Sequence, residues 1–521
     1  MTQSTDDPHA VSLGELVATL SLAQDSAFGQ PLESELRTCL LALGIARELG
    51  LDEAVCHDTY YVALLRYIGC TGHAVEASRL FGDEVEARAR TALLDMGNPA
   101  EILLEVVRHA GEGQPVLKRL QVLASVLAGG RAPAEENFRT GCEVAELIVD
   151  RLGLRTEVRD ALWHSFERWN GKGYPAGSSG TDIPLPMRIV HVAQDLEVLE
   201  RVGSADSALA HARARAGKSY DPDVVDAAVA CSAERFDTLA GASPWDLVLA
   251  AEPAPKRLLE HDDLDDALRV VADFVDIKSP FTVGHSRGVG ELAEAAATQA
   301  GLGEGERRAA RRAGFVHDLG RTAVPNSIWD KAGSLTHAEW DRVQAHTYLT
   351  DRMLARAPGL ARLAPVASAH HERIDGSGYH RGTAGAGLTV TAKIVAAADV
   401  YQALTQTRPH RGAFAAPAAA AELRSMARSG ALDPDATEAV LGGAGHRVNR
   451  RRSWPAGLTN REVEVLRLVA RGRTTRQIAQ ELVITEKTAG HHIAHVYTKI
   501  GVSTRGAAAL FATQHDLVAD A

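Results

Sequence analysis

Seven side chains in the second half of this 521-residue chain have the chemistry to hold metal ions together. They are imidazoles and carboxylates from distant stretches of sequence: His285, His317, Asp318, His346, His370, His371 and Asp399. Clustering such groups in a core is costly unless a positive partner gathers them, and this donor mixture suits first-row ions such as iron, manganese or zinc. Two ions sharing Asp318 and a hydroxide would lower the pKa of the bridging water and stabilise a departing alkoxide. The set therefore predicts a two-metal centre for phosphoester hydrolysis.

The elements that must position these ligands are helices. Apolar residues recur at three- and four-residue spacing, as in Val289, Leu292, Ala293 and Ala296, and alternating strand-like runs are almost absent. This pattern predicts an all-α protein in which His285 lies near the start of a helix and faces the core.

Two blocks of the chain look like copies of one another. WNGKGYPAG (169–177) lines up with IDGSGYHRG (374–382), and a constant offset of 251 residues aligns LGLDE (49–53) with AGLGE (300–304). The residues opposite the candidate ligands cannot form the same site: Ser34, Arg66, Tyr67, Gly141, Ser165, Phe166 and Gln194. The first copy also carries about 46 extra residues between its counterparts of Asp318 and His346. Catalysis is not expected there; a regulatory or ligand-sensing domain and a purely structural copy both remain open.

Stretches rich in proline or charge divide the chain. We expect an N-terminal segment (1–30), a first copy (31–250), a linker (251–262), a second copy (263–447), a basic linker (448–457) and a C-terminal module (458–521). No run approaches the roughly 18 apolar residues of a membrane span, and the amino terminus is acidic. The protein is therefore expected in the cytoplasm, with no membrane partner.

The C-terminal module combines positive charge with a helix-turn-helix pattern. From Arg447 onward the sequence has 12 Lys and Arg and 6 Asp and Glu, so this segment has a net charge of +6. The whole chain has a net charge of −11, which leaves −17 for the residues before Arg447. The first predicted helix begins at a Thr459 cap and closes at Gly472. A later helix has Ala489 and Val496 on its apolar face. Candidate DNA contacts on that helix are Lys487, Thr488, His491, His492, His495 and Lys499.

The second copy resembles the HD-GYP family, a branch of the HD-domain phosphohydrolases, through HDLGR (317–321), HHERIDGSGYH (370–380) and AAADVYQALTQTRPHR (396–411). The resemblance implies hydrolysis of cyclic di-GMP with two divalent ions, iron or manganese. One ion would be held by His285, His317, Asp318 and Asp399, and Asp318 would bridge to a second held by His346, His370 and His371. Asp318 and Arg321 would be catalytic, and the substrate would contact Arg321, Asp375, Gly376, Gly378 and Tyr379.

The sequence differs from the family pattern at three positions that bear on the implied site. Arg321 replaces the usual lysine and keeps a positive charge with different geometry. His380 replaces the signature proline, so the loop loses a fixed φ. Phe281 stands where some members have a glutamate for a third metal, so two ions are expected.

The C-terminal module resembles the LuxR or NarL type of helix-turn-helix through LTNREVEVLRLVARG and HHIAHVYTKIGVSTR. Our main hypothesis is a transcriptional regulator that binds double-stranded DNA as a homodimer and is coupled to a two-metal phosphodiesterase. One alternative is a transcription factor whose second copy senses a nucleotide or metal without turnover. Another is a hydrolase of a different phosphoester.

Overall fold

The computed structural model describes residues 10–92, 94, 98–112, 116–129, 132–447, 455–515 and 517. The chain divides into two compact units, Met1–Arg447 and Val448–Ala521, which we describe separately. The regular elements of the described residues are helices apart from two short strands, which confirms the predicted all-α class. Among the helices of the described ranges, none has the length and apolar character needed to cross a bilayer.

The first half of the larger unit begins with strand β1 (Val11–Ser12), which pairs antiparallel with β2 (Leu258–Leu259). Its helices are α1 (Leu13–Ala27), α2 (Ser34–Glu48), α3 (Glu53–Leu65), α4 (Ala74–Phe81), α5 (Glu84–Thr91), α6 (Pro99–His109), α7 (Val116–Gly129), α8 (Ala132–Arg151), α9 (Thr156–Leu162), α10 (Leu185–Val202), α11 (Ala205–Arg215), α12 (Pro222–Gly241) and α13 (Pro244–Ala250). The extra residues of the first copy form α4 to α7, which we call the insertion.

The second half of the larger unit repeats this order without the insertion. Its helices are α14 (His261–Asp276), α15 (His285–Gln299), α16 (Glu304–Val316), α17 (Asn326–Trp329), α18 (His337–Arg356), α19 (Ala364–Ala367), α20 (Val390–Thr405), α21 (Ala416–Arg428) and α22 (Pro434–Gly443). The interval 251–262, predicted as a linker, contains β2 and the first residues of α14.

The two copies match helix by helix. α2 and α15 are both 15 residues long, and each follows a residue with left-handed backbone, Glu33 (φ 78°) and Gly284 (φ 74°). α3 and α16 both have 13 residues, and α8 and α18 both have 20. The first two pairs lie at the offset of 251 residues, and the third lies at an offset of 205, which is 251 minus the 46 extra residues of the first copy. The local structure of the repeat is therefore the one that the sequence alignment predicted.

The copies are joined through buried polar contacts. α1 is buried along its whole length, and Oε1 of its Glu15 accepts a hydrogen bond from the backbone N–H of Gly359 in the second copy, at 2.8 Å. In the insertion, Oε1 of Glu84 accepts from Nζ of Lys278 at 2.6 Å. A surface ion pair joins Asp83 to Arg342 at 2.7 Å. α1, which lies in the interval expected as an N-terminal segment (1–30), is thus packed within this body.

The smaller unit contains α23 (Asn460–Ala470), α24 (Thr475–Glu481), α25 (Glu486–Ile500) and α26 (Arg505–Gln514). The side chain of Thr459 caps α23, as predicted, and Glu462 completes the capping box. Gly501 ends α25 with left-handed backbone at φ 68°. The core includes Ala489 and Val496, which confirms the predicted apolar face of α25.

Candidate functional site

The candidate metal ligands come from five places in the second copy. His285 opens α15, His317 and Asp318 follow α16, His346 lies in α18, His370 and His371 follow α19, and Asp399 lies in α20. All are buried except His371, whose side chain is 25% exposed. The core periodicity of these helices turns the side chains inward, and the tertiary fold brings all seven into one cluster.

Asp318 lies between two sets of histidines. Its Oδ1 is 3.5 Å from Nε2 of His346 and 3.6 Å from Nε2 of His370. Its Oδ2 is 3.6 Å from Nε2 of His317. A carboxylate whose two oxygens face different donor sets has the geometry to bridge two cations.

Asp399 organises the other side of the cluster. Its Oδ1 is 3.1 Å from Nε2 of His285 and 3.8 Å from Nε2 of His317, while its Oδ2 is 3.9 Å from Nδ1 of His371. Three combinations of these side chains bring ligand atoms within 4.8 Å of one another: His285 with His317 and Asp399, His346 with His370 and His371, and His317 with Asp318 and His370. The first two combinations fall within the two ligand sets that the sequence resemblance implies, whereas the third takes members of both, so the assignment of each ligand to one ion stays a prediction.

Backbone carbonyls hold the imidazole rings in one orientation. Nδ1 of His317 lies 2.8 Å from the oxygen of Gly314, Nδ1 of His370 lies 2.7 Å from that of Ala367, and Nδ1 of His346 contacts the oxygen of Val343. We therefore place the proton on Nδ1 in each ring, which leaves Nε2 with its lone pair facing the cluster.

Two observations show that this donor set fits cations. Nε2 of His346 lies 3.1 Å from Nε2 of His370, so two lone pairs face each other unless a positive charge lies beside them. Nε2 of His317 is buried and has no hydrogen-bond partner among the residues that the structure describes. Buried nitrogens of this kind are satisfied by metal coordination.

The electrostatics of the cluster favour a neutral His317 and a neutral His346 beside ionised carboxylates, whereas at His370 the effect of burial is outweighed by Asp318, which raises the pKa of that imidazole. Burial lowers the pKa of His317 to about 4 and that of His346 to about 3. Burial alone would raise the pKa of Asp318, but His317, His370 and Arg321 outweigh it and hold that pKa well below its usual range. Burial opposes ionisation of Asp399 too, yet the hydrogen bond from His285 and nearby imidazoles lower its pKa. These are the protonation states that metal ligands need.

Two arginines supply positive charge beside the candidate ligands. Nη1 of Arg321 is 3.3 Å from Oδ2 of Asp318, and its guanidinium stacks 3.8 Å from the ring centre of Trp329. Arg408 donates from Nη1 to the oxygen of Phe281 at 3.2 Å, and burial lowers its pKa to about 10. Sequence reasoning assigned a role to Arg321 only. The signal for Arg408 was its place in the motif at 396–411.

Two further residues at the site were not predicted from the sequence. Oε1 of Gln406 lies 2.9 Å from Nδ1 of His285 and so orients that ring. Glu372 is buried, and its carboxylate accepts from the backbone N–H groups of Arg381 at 2.8 Å and Thr383 at 2.7 Å. Glu372 therefore holds the loop at 374–382 against the cluster.

The predicted substrate residues on this loop have different surroundings. Oδ1 of Asp375 is engaged locally by the N–H of Ser377 at 2.9 Å and its hydroxyl at 2.7 Å. Gly376 has a φ of +81°, and a Cβ on Gly378 would lie 2.5 Å from the oxygen of His371. The ring of Tyr379 lies 4.8 Å from that of His371. Of these four, the structure places Tyr379 directly against a candidate ligand, while the glycines let the loop approach.

The predicted DNA contacts lie along α25. Lys487, Thr488, His491 and His495 are exposed, and His492 is half-buried. Thr488 also shares a hydrogen bond of 2.8 Å with the hydroxyl of Thr485, the cap of this helix. Nζ of Lys499 lies 2.7 Å from Oε2 of Glu462 and 3.0 Å from the oxygen of Gly457. Lys499 therefore ties α25 to the start of α23, which the sequence did not indicate.

The fold and the clustered histidines and aspartates define a metal-dependent phosphohydrolase. The chain belongs to the HD-domain family, whose pattern matches residues 136–224 of the first copy and 269–436 of the second. The C-terminal unit matches the family described as bacterial regulatory proteins, luxR family, over residues 456–512.

Known relatives of this chain are cyclic dinucleotide phosphodiesterases. The 3'3'-cGAMP-specific phosphodiesterase 3 of Vibrio cholerae serotype O1 is 32% identical over 433 residues, which span 82% of this chain and 94% of the relative. The cyclic di-GMP phosphodiesterase response regulator RpfG of Xanthomonas campestris pv. campestris is 38% identical over 149 residues, which span 28% of this chain and 39% of that relative. The crystal structure of a cyclic GMP-AMP specific phosphodiesterase of V. cholerae covers 84% of this chain and 98% of its own, with 28% identity and a TM-score of 0.58.

Proposed function

We propose that the second copy hydrolyses a 3'3'-linked cyclic dinucleotide with two divalent metal ions, and that the C-terminal unit couples this activity to transcription. The observation that carries the catalytic part is the position of Asp318, whose Oδ1 faces His346 and His370 while its Oδ2 faces His317. In this proposal, His285, His317, Asp318 and Asp399 would hold one ion. Asp318 would also be a ligand of the second ion, together with His346, His370 and His371.

The bound ions would lower the pKa of a shared water and neutralise the phosphoryl oxygens. The protein's own residues would orient the ligands and bind the substrate. Carbonyl contacts hold the imidazoles with Nε2 inward, so the ligands need little reorganisation when a substrate binds. Arg321 and Arg408 place two guanidinium groups at the cluster, where they would bind the phosphate oxygens. Tyr379 offers its ring as a face for a base beside His371.

The substrate proposal combines the chemistry of the cluster with the relatives. The V. cholerae relative that shares most of its length with this chain is named for 3'3'-cGAMP, and shorter matches are named for cyclic di-GMP. We therefore propose 3'3'-cGAMP as the first substrate to test and cyclic di-GMP, implied by the motif resemblance, as the second. Iron and manganese are the proposed metals, because imidazole and carboxylate donors without thiolates suit both.

The test of catalysis is a substrate panel. Protein reconstituted with iron or manganese is incubated with 3'3'-cGAMP, cyclic di-GMP and bis-p-nitrophenyl phosphate, and products are separated by chromatography. Linear dinucleotide or mononucleotides from a cyclic dinucleotide support the proposal. Binding of a cyclic dinucleotide without product supports the sensor hypothesis instead, and cleavage of the nitrophenyl ester alone points to a different phosphoester.

We further propose that the C-terminal unit binds double-stranded DNA through α25 in a homodimer, as a transcriptional regulator. The exposed Lys487, His491 and His495 on one face of that helix support this part. Measuring affinity for duplex DNA with and without the cyclic dinucleotide tests the coupling. An affinity that no cyclic dinucleotide changes would remove the coupling and leave both activities independent.

A further inference from the structure

A cavity of about 240 Å³ lies in the first copy at the place that corresponds to the candidate metal centre of the second. Four of its lining residues align with candidate ligands: Arg66 with His317, Tyr67 with Asp318, Phe166 with His371, and Gln194 with Asp399. The first copy has thus lost the ligands and kept an open space. A cavity of roughly 150 Å³ already admits benzene, so this one has room for a larger ring system.

The insertion forms much of the cavity wall. α4 contributes Ala77 and Leu80, α5 contributes Ala87 and Arg88, and α6 contributes Ile102. In the corresponding interval, 319–336, which the structure describes in full, the second copy has no helices that match α5 and α6, and its short α17 aligns with part of α4. The enclosure is therefore a feature of the first copy and not a remnant of the ancestral site alone.

Aromatic rings cover one side of the cavity. The ring of Phe138 lies 4.6 Å from that of Phe166 and 5.0 Å from that of Tyr174. Tyr67 lies 6.0 Å from Phe166 and stacks on Phe28 at 4.0 Å. All five residues line the cavity. A wall of aromatic side chains suits a planar heteroaromatic group, because stacking needs a π-face and tolerates different bases.

Two buried guanidinium groups give the cavity positive charge. Arg66 is 4% exposed and Arg88 is 7% exposed. Nη2 of Arg66 donates to the oxygen of Ser165 at 3.3 Å, while its Nε and Nη1 have no hydrogen-bond partner in the described ranges. Arg88 donates to the oxygens of Ala27 at 3.3 Å and Cys70 at 2.7 Å. Within the described parts of the chain, neither arginine forms an ion pair with a carboxylate.

Two of the carboxylates that line the cavity are paired with cations outside it, while a third, Asp195, accepts a hydrogen bond from the hydroxyl of Tyr220. Glu84 lines the cavity but is bonded to Lys278 at 2.6 Å, and Glu105 is bonded to Arg90 at 3.0 Å. Burial raises the pKa of Glu35 to about 8, with Arg66 opposing and Glu197 reinforcing the shift. A buried cation without a counter-charge is costly. The cavity is therefore suited to an anion.

We propose that this cavity binds a nucleoside monophosphate, with its base against Phe138, Phe166 and Tyr174 and its phosphate at Arg66 and Arg88. The size, the ring wall and the two guanidinium groups each correspond to one part of such a ligand. The positions aligned with the metal ligands carry no imidazole or carboxylate, so the ligand is bound without being hydrolysed. This site is independent of the catalytic proposal for the second copy.

Isothermal titration calorimetry of the full chain with GMP and AMP tests the proposal. The titrations use the Asp318→Ala background, so that the candidate metal centre does not contribute. We expect saturable binding near one nucleotide per chain for at least one of the two. Arg66→Met is expected to weaken it at least about tenfold, because a charge-assisted contact to phosphate is lost. Guanosine and adenosine, which lack the phosphate, are expected to bind more weakly than their monophosphates.

The control is Arg201→Met, which removes a 26% exposed arginine of the same copy that pairs with Glu197 and does not line the cavity. It should leave the affinity unchanged. Phe138→Ala provides a second variant that removes a ring and no charge, and circular dichroism with thermal melting shows whether each variant is folded. The protein with Asp318 intact is titrated as well. Three results would overturn the proposal: neither nucleotide binds, Arg66→Met and Phe138→Ala both bind like the Asp318→Ala protein, or binding occurs only when Asp318 is intact.

Discussion

Nζ of Lys278 lies 2.6 Å from Oε1 of Glu84, and the two side chains, from different copies of the repeat, are 1% and 0% exposed. Nζ also donates to the oxygen of Val324 at 2.8 Å and to Oδ1 of Asn326 at 3.1 Å. The backbone N–H of Asn326 donates back to Glu84 at 2.9 Å. The pair thus joins the insertion to the segment that follows the HD motif, close to Arg321.

Removing one partner of this pair should destabilise the larger unit strongly. Lys278→Met leaves Glu84 buried without its cation, which typically costs about 3–5 kcal/mol in free energy of unfolding. Denaturant unfolding followed by circular dichroism measures the change. Lys331→Met is the matched control, since Lys331 pairs with Glu339 on the surface at 33% and 25% exposure, and such pairs contribute about 0–1 kcal/mol. Equal effects of the two substitutions would contradict the role assigned to the buried pair.

Asp318→Ala should abolish hydrolysis and lower the metal content. The substitution removes both oxygens that face the histidines, so no carboxylate remains between the two groups of ligands. Activity is measured on the preferred cyclic dinucleotide. The metal content is measured by elemental analysis of the purified protein. Asp435→Ala, an exposed change in the first turn of α22, should alter neither. A fully active Asp318→Ala protein would exclude the proposed site.

Arg321→Met should lower kcat without emptying the metal centre. The guanidinium contacts Asp318 at 3.3 Å and is held on Trp329, so we expect it to stabilise charge on the phosphate in the transition state. A loss of about 10²–10³ in kcat is typical when one such group is removed. Steady-state kinetics and metal analysis separate the two effects. The control variant is Arg352→Met, which replaces an arginine near the ring of the exposed Tyr348. A similar kcat in the two variants would refute the proposed role of Arg321 in catalysis.

The stability of the first copy should depend on pH through Glu35. Burial raises the pKa of this carboxyl from its ordinary value of 4.5 to about 8, with Arg66 opposing the shift and Glu197 adding to it. The folded state therefore binds more protons than the unfolded state between pH 4.5 and 8, and the free energy of unfolding falls as pH rises through that window. Glu35→Gln removes this pH-dependent contribution to the free energy of unfolding, because glutamine does not ionise. The variant should gain stability relative to the parent at pH 8, and the gain should shrink toward pH 4.5. Urea unfolding at several pH values measures it, and a constant difference would contradict the expectation.

Lys487→Ala should weaken DNA binding in a salt-dependent way. Lys487 is exposed at the start of α25, and a lost phosphate contact lowers the slope of log affinity against log salt by about 0.9. Fluorescence anisotropy with a labelled duplex at several salt concentrations measures the slope. Lys172→Ala, an exposed lysine of the first copy, should leave it unchanged. An unaltered slope for Lys487→Ala would remove this residue from the proposed interface.

Much of the local structure follows from the sequence by itself. The caps at Thr459 and Thr485, the left-handed ends at Gly284 and Gly501, and the core faces of the helices are set by residues a few positions apart. Such signals act within one or two helical turns, which is why they can be recognised in the chain. The same holds for the repeat, because equal spacing of similar segments produces helices of equal length.

Contacts between distant residues were decided by the tertiary structure. Gln406 orients His285, which lies 121 residues away in the chain, and Glu84 binds Lys278, which lies 194 residues away. No local pattern in the sequence marks these partners. The insertion was visible only as extra length, whereas its enclosure of a cavity around Arg66 depends on how α4 to α6 pack. The sequence determined which donors exist and which helices carry them. Folding decided which of these donors meet, because burial and hydrogen bonding select partners by position in space and not by position in the chain.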